Sequence, residues 1–407
     1  MGHPVVKTPN LDRIANEGAH FRNTFVTTSL CSPSRASFLT GQYAHTHGVV
    51  TNHTMWNDRN VTFMELIKKA GYDTAFIGKW HMPGDRLPQL RGVDEFITFT
   101  KEGGQGVYYD CPLIIKGVET PRPGKYITND LTDFALRFIE KKRKNPFCLY
   151  LSHKAAHFGF RPPEHLKTLY AGQDLHLPPE SDTWVTLTNN NIFVGAPMPM
   201  NMLYRNYLRV VASVDEQVGR LLESLERTGE LDNTVIVYAG DNGHLFGEHG
   251  LYDKRNAYEE SMRIPFFIRY PKLVRQTGRR DQMVLNIDLA PTLLDIIGAE
   301  IPAFMQGRSM VPFLRNPSLE GRDAFLYEHF PVFPIPIPGI TAVRTKDFKY
   351  INYQKGTWRD QLFDLRKDPR ELLNIIGTKA GKEALPGLQK RLEQLKEETR
   401  YRFFTHG

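Results

Sequence analysis

Three apolar runs of strand length each end in a polar cluster, and this repetition restricts the fold more than any other feature of the sequence. Asp73-Thr74-Ala75-Phe76-Ile77-Gly78 leads into Lys79-Trp80-His81. Pro146 to Ser152 leads into His153-Lys154-Ala155-Ala156-His157, and Thr234 to Ala239 into Gly240-Asp241-Asn242-Gly243. Amphipathic helices separate them: Phe63 to Ala70, Thr128 to Lys144, and Tyr207 to Thr228, the last with Val210, Val211, Val214, Val218, Leu221 and Leu222 on one face. Strands alternating with helices predict an α/β fold, a large parallel-rich sheet sandwiched by helices. Such folds bind ligands beyond the C-terminal ends of their strands, so the three polar clusters can meet there although far apart in the chain.

The flanking segments extend the plan. Thr8-Pro9-Asn10-Leu11-Asp12-Arg13-Ile14-Ala15 starts a helix with proline in its first turn. Ile264 to Tyr270 and Met283 to Ile287 read as strands, and Ala290 to Ile297 as a helix stopped by Gly298. Residues 82–125 and 158–200, rich in Gly, Pro, Asn and Thr, read as long loops that shape a pocket. Past the Pro-rich run Phe330 to Gly339, Thr341 to Arg344 and Phe348 to Tyr353 predict a small antiparallel sheet, and residues 381–399 a last helix packed on it. We therefore expect two units, residues 1–315 and a smaller one over residues 316–407.

Composition serves mainly to exclude. With 41% hydrophobic and 24% charged residues over 407, the chain has a globular balance and enough length for one large core plus a smaller unit. No apolar run reaches membrane-spanning length, so no membrane partner is expected. A net charge of +7 suits an anionic substrate. Lys and Arg are scattered among 45 acids with no basic, aromatic-interleaved block, which argues against nucleic acid. Three cysteines make no disulfide framework, and Cys148, inside Phe147-Cys148-Leu149-Tyr150-Leu151, reads as a buried strand residue.

Cys31 stands apart. It opens Cys31-Ser32-Pro33-Ser34-Arg35-Ala36-Ser37-Phe38-Leu39-Thr40-Gly41. Ser32 suits an N-cap, Pro33 the first helical position and Gly41 a left-handed stop, so a short helix is expected to begin just after Cys31. Unpaired amides and the macrodipole favour an anion at that end, and Arg35 adds a fixed cation about one turn on. A lone buried cysteine is commonplace; the pentapeptide around this one is not.

Cys31-x-Pro33-Ser34-Arg35, continued to Gly41-Gln42-Tyr43, resembles the signature of the type I, formylglycine-dependent sulfatases of the alkaline-phosphatase-like superfamily, and the similarity runs over nearly the whole chain. The resemblance implies a sulfuric-ester hydrolase. In that family a formylglycine-generating enzyme oxidises the cysteine, and the hydrated aldehyde is the nucleophile, its second hydroxyl giving sulfate a way out. Gly78-Lys79-Trp80-His81 matches the family's lysine that binds sulfate and its histidine that handles a proton of the hydrate. His157 matches the histidine that binds sulfate and protonates the leaving alcohol, and Lys254 the second sulfate-binding lysine. Arg35 adds positive charge to the same centre. Asp241 and Asn242 match ligands of a Ca²⁺ ion, Mg²⁺ in some members, which the side chain made from Cys31 also touches. Two further ligands in the family are adjacent aspartates closing a strand ahead of the helix at Thr8. Nothing before His3 supplies them, so the natural chain is expected to continue upstream of Met1. Gly104 to Asp110 and Leu151 to His157 are similar to N-acetylglucosamine-6-sulfatases and mucin-desulfating enzymes, which implies a sulfated sugar as substrate. The family also implies a periplasmic or secreted protein, although no signal peptide is visible in this chain.

Other readings stay open at this point. A phosphonate or phosphodiester hydrolase shares the fold and sometimes the formylglycine, and a truncated, non-catalytic binder of sulfated glycans would tolerate the lack of the aspartates. His153 and His157 have the His-x-x-x-His spacing of a zinc site, but without the adjacent glutamate of a metalloprotease.

Overall fold

The computed structural model describes residues 2–84, 88–181, 184–185, 198–332, 335, 337–354 and 358–403. The strand Asp73–Gly78 pairs in parallel with Glu95–Thr98 on one side and with Phe147–Ser152 on the other, from Asp73 opposite Phe147 to Gly78 opposite Ser152. Two short antiparallel strands, Leu113–Ile115 and Val118–Thr120, extend this sheet beyond Glu95–Thr98. A second, four-stranded sheet runs in the order Gly278–Leu285, Ala19–Phe25, Phe266–Arg269, Ile236–Ala239. Only its first pair is parallel.

Period-two burial shows how the layers form. Along Phe147–Ser152, Phe147 and Leu149 pack toward Ile139, Val214, Val218 and Leu222, which belong to the helices Ile127–Glu140 and Met200–Arg227. Cys148 and Tyr150 point the other way, toward Phe63 and Ile67 of the helix Phe63–Lys69 and Leu294 of Leu289–Ile296. The sheet is thus covered on both faces, as the strand and helix alternation predicts. The sequence reading needs correction here: residues 82–125, expected to be loop, supply the strands Glu95–Thr98, Leu113–Ile115 and Val118–Thr120. The long helix begins at Met200 rather than Tyr207, with Met200 and Leu203 buried ahead of the apolar stripe. Ala19–Phe25, in the middle of the second sheet, carries His20, Arg22 and Asn23 among its seven residues, and the sequence reading missed it.

The two sheets do not join among the described residues. Phe147–Ser152 and Ile236–Ala239 are each the last strand of their sheet, and both line one cavity of about 1570 Å³ together with Ile14, Val214 and Leu221. Five of the six residues in Phe147–Ser152 and all four in Ile236–Ala239 are only half-buried, whereas Asp73–Gly78 is buried along nearly its whole length. Each strand therefore keeps one edge of backbone donors and acceptors open to the cavity.

A four-stranded antiparallel sheet in sequence order, Ala324–His329, Gly339–Thr345, Phe348–Gln354 and Gln361–Asp364, follows. The helix Lys379–Thr399 covers it with Leu388, Leu392 and Leu395, one apolar stripe at helical spacing. Parts of the Pro-rich run, residues 333, 334 and 336, lie outside the described residues. Phe25 stacks on Phe325 at 5.0 Å, so the small sheet shares a core with the second large one.

A buried ion pair ties this sheet to the Cys31 side of the molecule. His45 Nδ1 lies 2.7 Å from Glu328 Oε2 with both side chains at most 1% exposed, and His45 Nε2 lies 2.9 Å from the Thr399 carbonyl. Burial opposes the imidazolium, but Glu328 outweighs it and raises the His45 pKa. A folded pKa above the unfolded value adds stability below about pH 6.5 that is lost as pH rises through the folded pKa. The melting temperature of wild type minus that of His45→Gln is therefore expected to be largest in mild acid and to shrink toward alkaline pH; a difference that grows with pH would contradict the pair.

Candidate active site

The helix Cys31–Thr40 begins two residues earlier than its sequence suggested. Cys31 is its first residue, Leu30 occupies the N-cap position, and Ser32 Oγ, instead of capping, lies 3.2 Å from His81 Nδ1. Gly41 ends the helix in the left-handed region at φ 68° as expected. All of Cys31-Ser32-Pro33-Ser34-Arg35 is buried.

Arg35 holds the strand ends together. Its Nε and Nη2 donate to Asp241 Oδ2 at 3.0 and 2.7 Å, and its Nη1 to the Lys79 carbonyl at 3.0 Å and to Ser152 Oγ. One guanidinium thus touches the residue after Asp73–Gly78, the last residue of Phe147–Ser152 and the turn after Ile236–Ala239. Asp241 outweighs the cost of burial and raises the Arg35 pKa, while burial of the Asp241 carboxylate is outweighed by Arg35, which lowers that of the acid. Ser152 had no sequence signal beyond its place at a strand end.

The other cations converge on the Cys31 sulfur. Lys254 Nζ donates to Cys31 Sγ at 3.0 Å. Burial pushes the thiol up, but the ammonium groups of Lys254 and Lys79, with hydrogen bonds to His157 and His81, hold it well below a free thiol. Burial alone would discharge Lys254, yet Cys31, Asp253 and Asp241 raise its pKa. Burial brings Lys79 down to about 7 despite Cys31. Burial, then Lys79, lower His81 to about 4 and His157 to about 3, so both rings are neutral in the free protein. His157 Nδ1 lies 3.3 Å from the Phe158 carbonyl, an acceptor only, which leaves Nε2 to give and take the proton.

Backbone geometry places these groups. Gly78 sits at φ 117°, and a Cβ there would meet the Ser152 carbonyl oxygen at 1.9 Å. Lys79 N, next along, donates to that same oxygen at 2.7 Å. Gly78→Ala is expected to lower the unfolding free energy by about 2 kcal/mol or more and, by displacing Lys79, turnover by about tenfold or more; a variant with wild-type melting and turnover would refute this placement.

Asp241 and Asn242 are adjacent to the thiol's cations, and Asn242 Oδ1 is buried with no hydrogen-bond partner. A carboxylate beside an orphaned amide oxygen fits part of the shell of a hard divalent cation. His153 and His157 form no zinc centre: the described residues hold one group of three His, Cys, Asp or Glu ligand atoms within mutual reach, His249, Glu260 and Glu371, and neither histidine belongs to it. Both ring nitrogens of His153 are buried without a partner. The sequence reading gave no role to Gln105, whose Oε1 accepts from Lys79 Nζ at 2.7 Å, although it lies in the Gly104 to Asp110 stretch that carried the resemblance to sugar sulfatases.

A buried nucleophile position at a helix start, ringed by two ammonium groups and two neutral imidazoles, defines a hydrolase of tetrahedral anionic esters on an α/β scaffold. The chain matches the family model named Sulfatase over residues 1–299 and that of the N-sulphoglucosamine sulphohydrolase C-terminal region over residues 247–398. It is 34% identical to an N-acetylglucosamine-6-O-sulfatase of Bacteroides thetaiotaomicron, over 99% of this chain and 83% of that protein. It is 29% identical to an ulvan-active sulfatase of Formosa agariphila, over 92% and 73%. A solved structure holding its substrate, D-glucosamine-2-N,6-O-disulfate, superposes with a TM-score of 0.89 at 31% identity, covering 98% of this chain and 94% of the other. The chain belongs to the sulfatase family of sulfuric-ester hydrolases, and its fold is alkaline-phosphatase-like.

Proposed function

We propose that this chain removes the 6-O-sulfate of glucosamine-type sugars outside the cytoplasm, with Cys31 as the precursor of its nucleophile. The observation that carries this is the ring of cations and imidazoles on Cys31 Sγ, above all Lys254 at 3.0 Å. The names of its relatives supply the sugar.

Formylglycine made from Cys31 would supply a hydrated aldehyde as nucleophile. Lys79 and Lys254 hold the non-bridging oxygens of the sulfuryl group and stabilise charge that grows on them, each worth about 10²- to 10³-fold in rate. His157 Nε2 protonates the leaving sugar oxygen, and His81, oriented through Nδ1 by Ser32, accepts a proton at Nε2. Both rings are neutral beforehand, so His157 takes up its proton only when the sulfate's negative charge offsets Lys79. Asp241 and Asn242 would hold a divalent cation, Ca²⁺ or Mg²⁺, which supplies further positive charge beside the sulfate. The family resemblance assigns its other ligands to paired aspartates closing a strand. The open edges of Phe147–Ser152 and Ile236–Ala239, ending beside Asp241, are where such a strand fits.

The decisive assay is sulfate release by purified protein from N-acetylglucosamine 6-O-sulfate, its 3-O isomer and a phosphodiester. Preference for the 6-O ester is expected; faster phosphodiester cleavage would overturn the reading, as would binding of all three without turnover. The pentapeptide's burial adds a second expectation. A formylglycine-generating enzyme must reach Cys31 before this helix packs, so the folded protein should resist modification that the unfolded chain accepts. Equal conversion of both forms, read by peptide mass, would contradict it.

A further inference from the structure

Lys154 plays no part in the chemistry above, yet it lines the same cavity as Cys31 and is only 5% exposed. Its Nζ donates to the Gln105 carbonyl at 3.1 Å and lies 5.0 Å from the centre of the Tyr108 ring. No carboxylate stands within ion-pair distance of it among the described residues. A carbonyl and a ring face satisfy part of an ammonium group with three donors, so the charge is buried and under-compensated. That burial brings its pKa down to about 8.

Its position says which part of a substrate it faces. Lys154 and His157 share one turn, His157 N donating to the Lys154 carbonyl at 3.1 Å. They also share a platform, since the Tyr108 hydroxyl donates to the His157 carbonyl at 2.7 Å. Gln105 bridges the two lysines, taking Lys79 on its side-chain oxygen and Lys154 on its main-chain oxygen. Lys254 donates to Cys31 Sγ and Lys79 to the Gln105 side chain, whereas Lys154 is held at the Gln105 main chain, so it is the ammonium group set to meet the sugar and not the sulfuryl group in transfer.

We propose that Lys154, on the Tyr108 and Gln105 platform, forms a second oxyanion subsite that selects sugars carrying another negative group close to the ester being cleaved. The inference rests on the sulfatase reading and goes beyond it. The anion is a sulfate or sulfamate on the same ring, or a carboxylate on the adjoining sugar.

The test is kcat/KM for three substrates: N-acetylglucosamine 6-O-sulfate, glucosamine 2-N,6-O-disulfate, and a disaccharide of 6-O-sulfated N-acetylglucosamine with a uronic acid. Wild type is expected to favour one of the two dianionic substrates, and which one identifies the anion's source. Lys154→Met should lose that preference by about 10- to 100-fold, the effect of one charge-assisted hydrogen bond, while the singly charged substrate changes less than about threefold. Lys154→Arg should keep the preference. No preference in wild type overturns the subsite whether or not the variants fold, and equal losses on all three substrates in Lys154→Met reduce the lysine to a structural role. Inactivity of the wild type, with Cys31 converted, on every substrate overturns the sulfatase reading instead.

Discussion

Cys31→Ala is expected to lower sulfate release by about 100,000-fold or more, the scale on which enzymes lose activity with their nucleophile. The loss should fall on kcat. Lys79, Lys254 and His157 come from other elements and stay in place, so affinity for a sulfated sugar should hold within about tenfold. Relative to unconverted protein, the variant also removes the acceptor that Lys254 faces at 3.0 Å. Calorimetric binding of N-acetylglucosamine 6-O-sulfate together with stopped and continuous sulfate assays would separate the two effects. Residual turnover within tenfold of wild type would mean that another group attacks sulfur.

Asp241→Ala should damage both stability and the site. Arg35 loses the acceptor of its Nε and Nη2, and the Arg35, Lys79 and Lys254 cluster loses a counter-charge. Breaking a buried pair costs about 3–5 kcal/mol, and since the Asp241 side chain keeps 28% exposure against 10% for Arg35, the lower end is expected. Asp241→Asn keeps the shape and one oxygen acceptor, so it should retain more stability than Asp241→Ala and bind Ca²⁺ more weakly than wild type but not as weakly as Asp241→Ala. The depressed pKa of Asp241 gives the sign: its stabilisation is present above about pH 4 and disappears as pH falls through the folded value. Urea unfolding across pH and calorimetric Ca²⁺ titration check these. An alanine variant that unfolds like wild type would show that Arg35 is held by Lys79 and Ser152 alone.

What the sequence discloses and what it hides follow from how local each signal is. Apolar periodicity and the clusters after Gly78, Ser152 and Ala239 are local, so the three strands and the meeting of Lys79, His157 and Asp241 are legible in the order of residues alone, whereas the antiparallel pairing of Ile236–Ala239 in a second sheet is not. The pentapeptide at Cys31 is more specific still, because it matches a family signature and not only a helix start. The contacts made across long gaps had no such signal. Arg35 reads as one more cation near the nucleophile, whereas it actually pins Asp241, Lys79 and Ser152. Gln105 lies in a glycine-rich loop whose turn at φ 62–87° at Gly103 and Gly104 has no readable target, yet it reaches both Lys79 and Lys154. Ser32 looked like an N-cap, but the pull of His81 won and the helix starts at Cys31. Capping rules describe an isolated helix end, and this one is buried in a site. The open edges between the two sheets left no trace in either strand's own alternation; only the resemblance, which implies a further strand ahead of Thr8, pointed toward them.

The account turns on Cys31 becoming formylglycine and then acting as the nucleophile. Protein produced with graded amounts of a formylglycine-generating enzyme would give, for each preparation, the fraction of the Cys31 peptide carrying an aldehyde in place of CH₂SH, by mass spectrometry. Set against the rate of sulfate release from N-acetylglucosamine 6-O-sulfate, the account predicts a line through the origin. Full turnover by protein whose Cys31 peptide is entirely unmodified would contradict it.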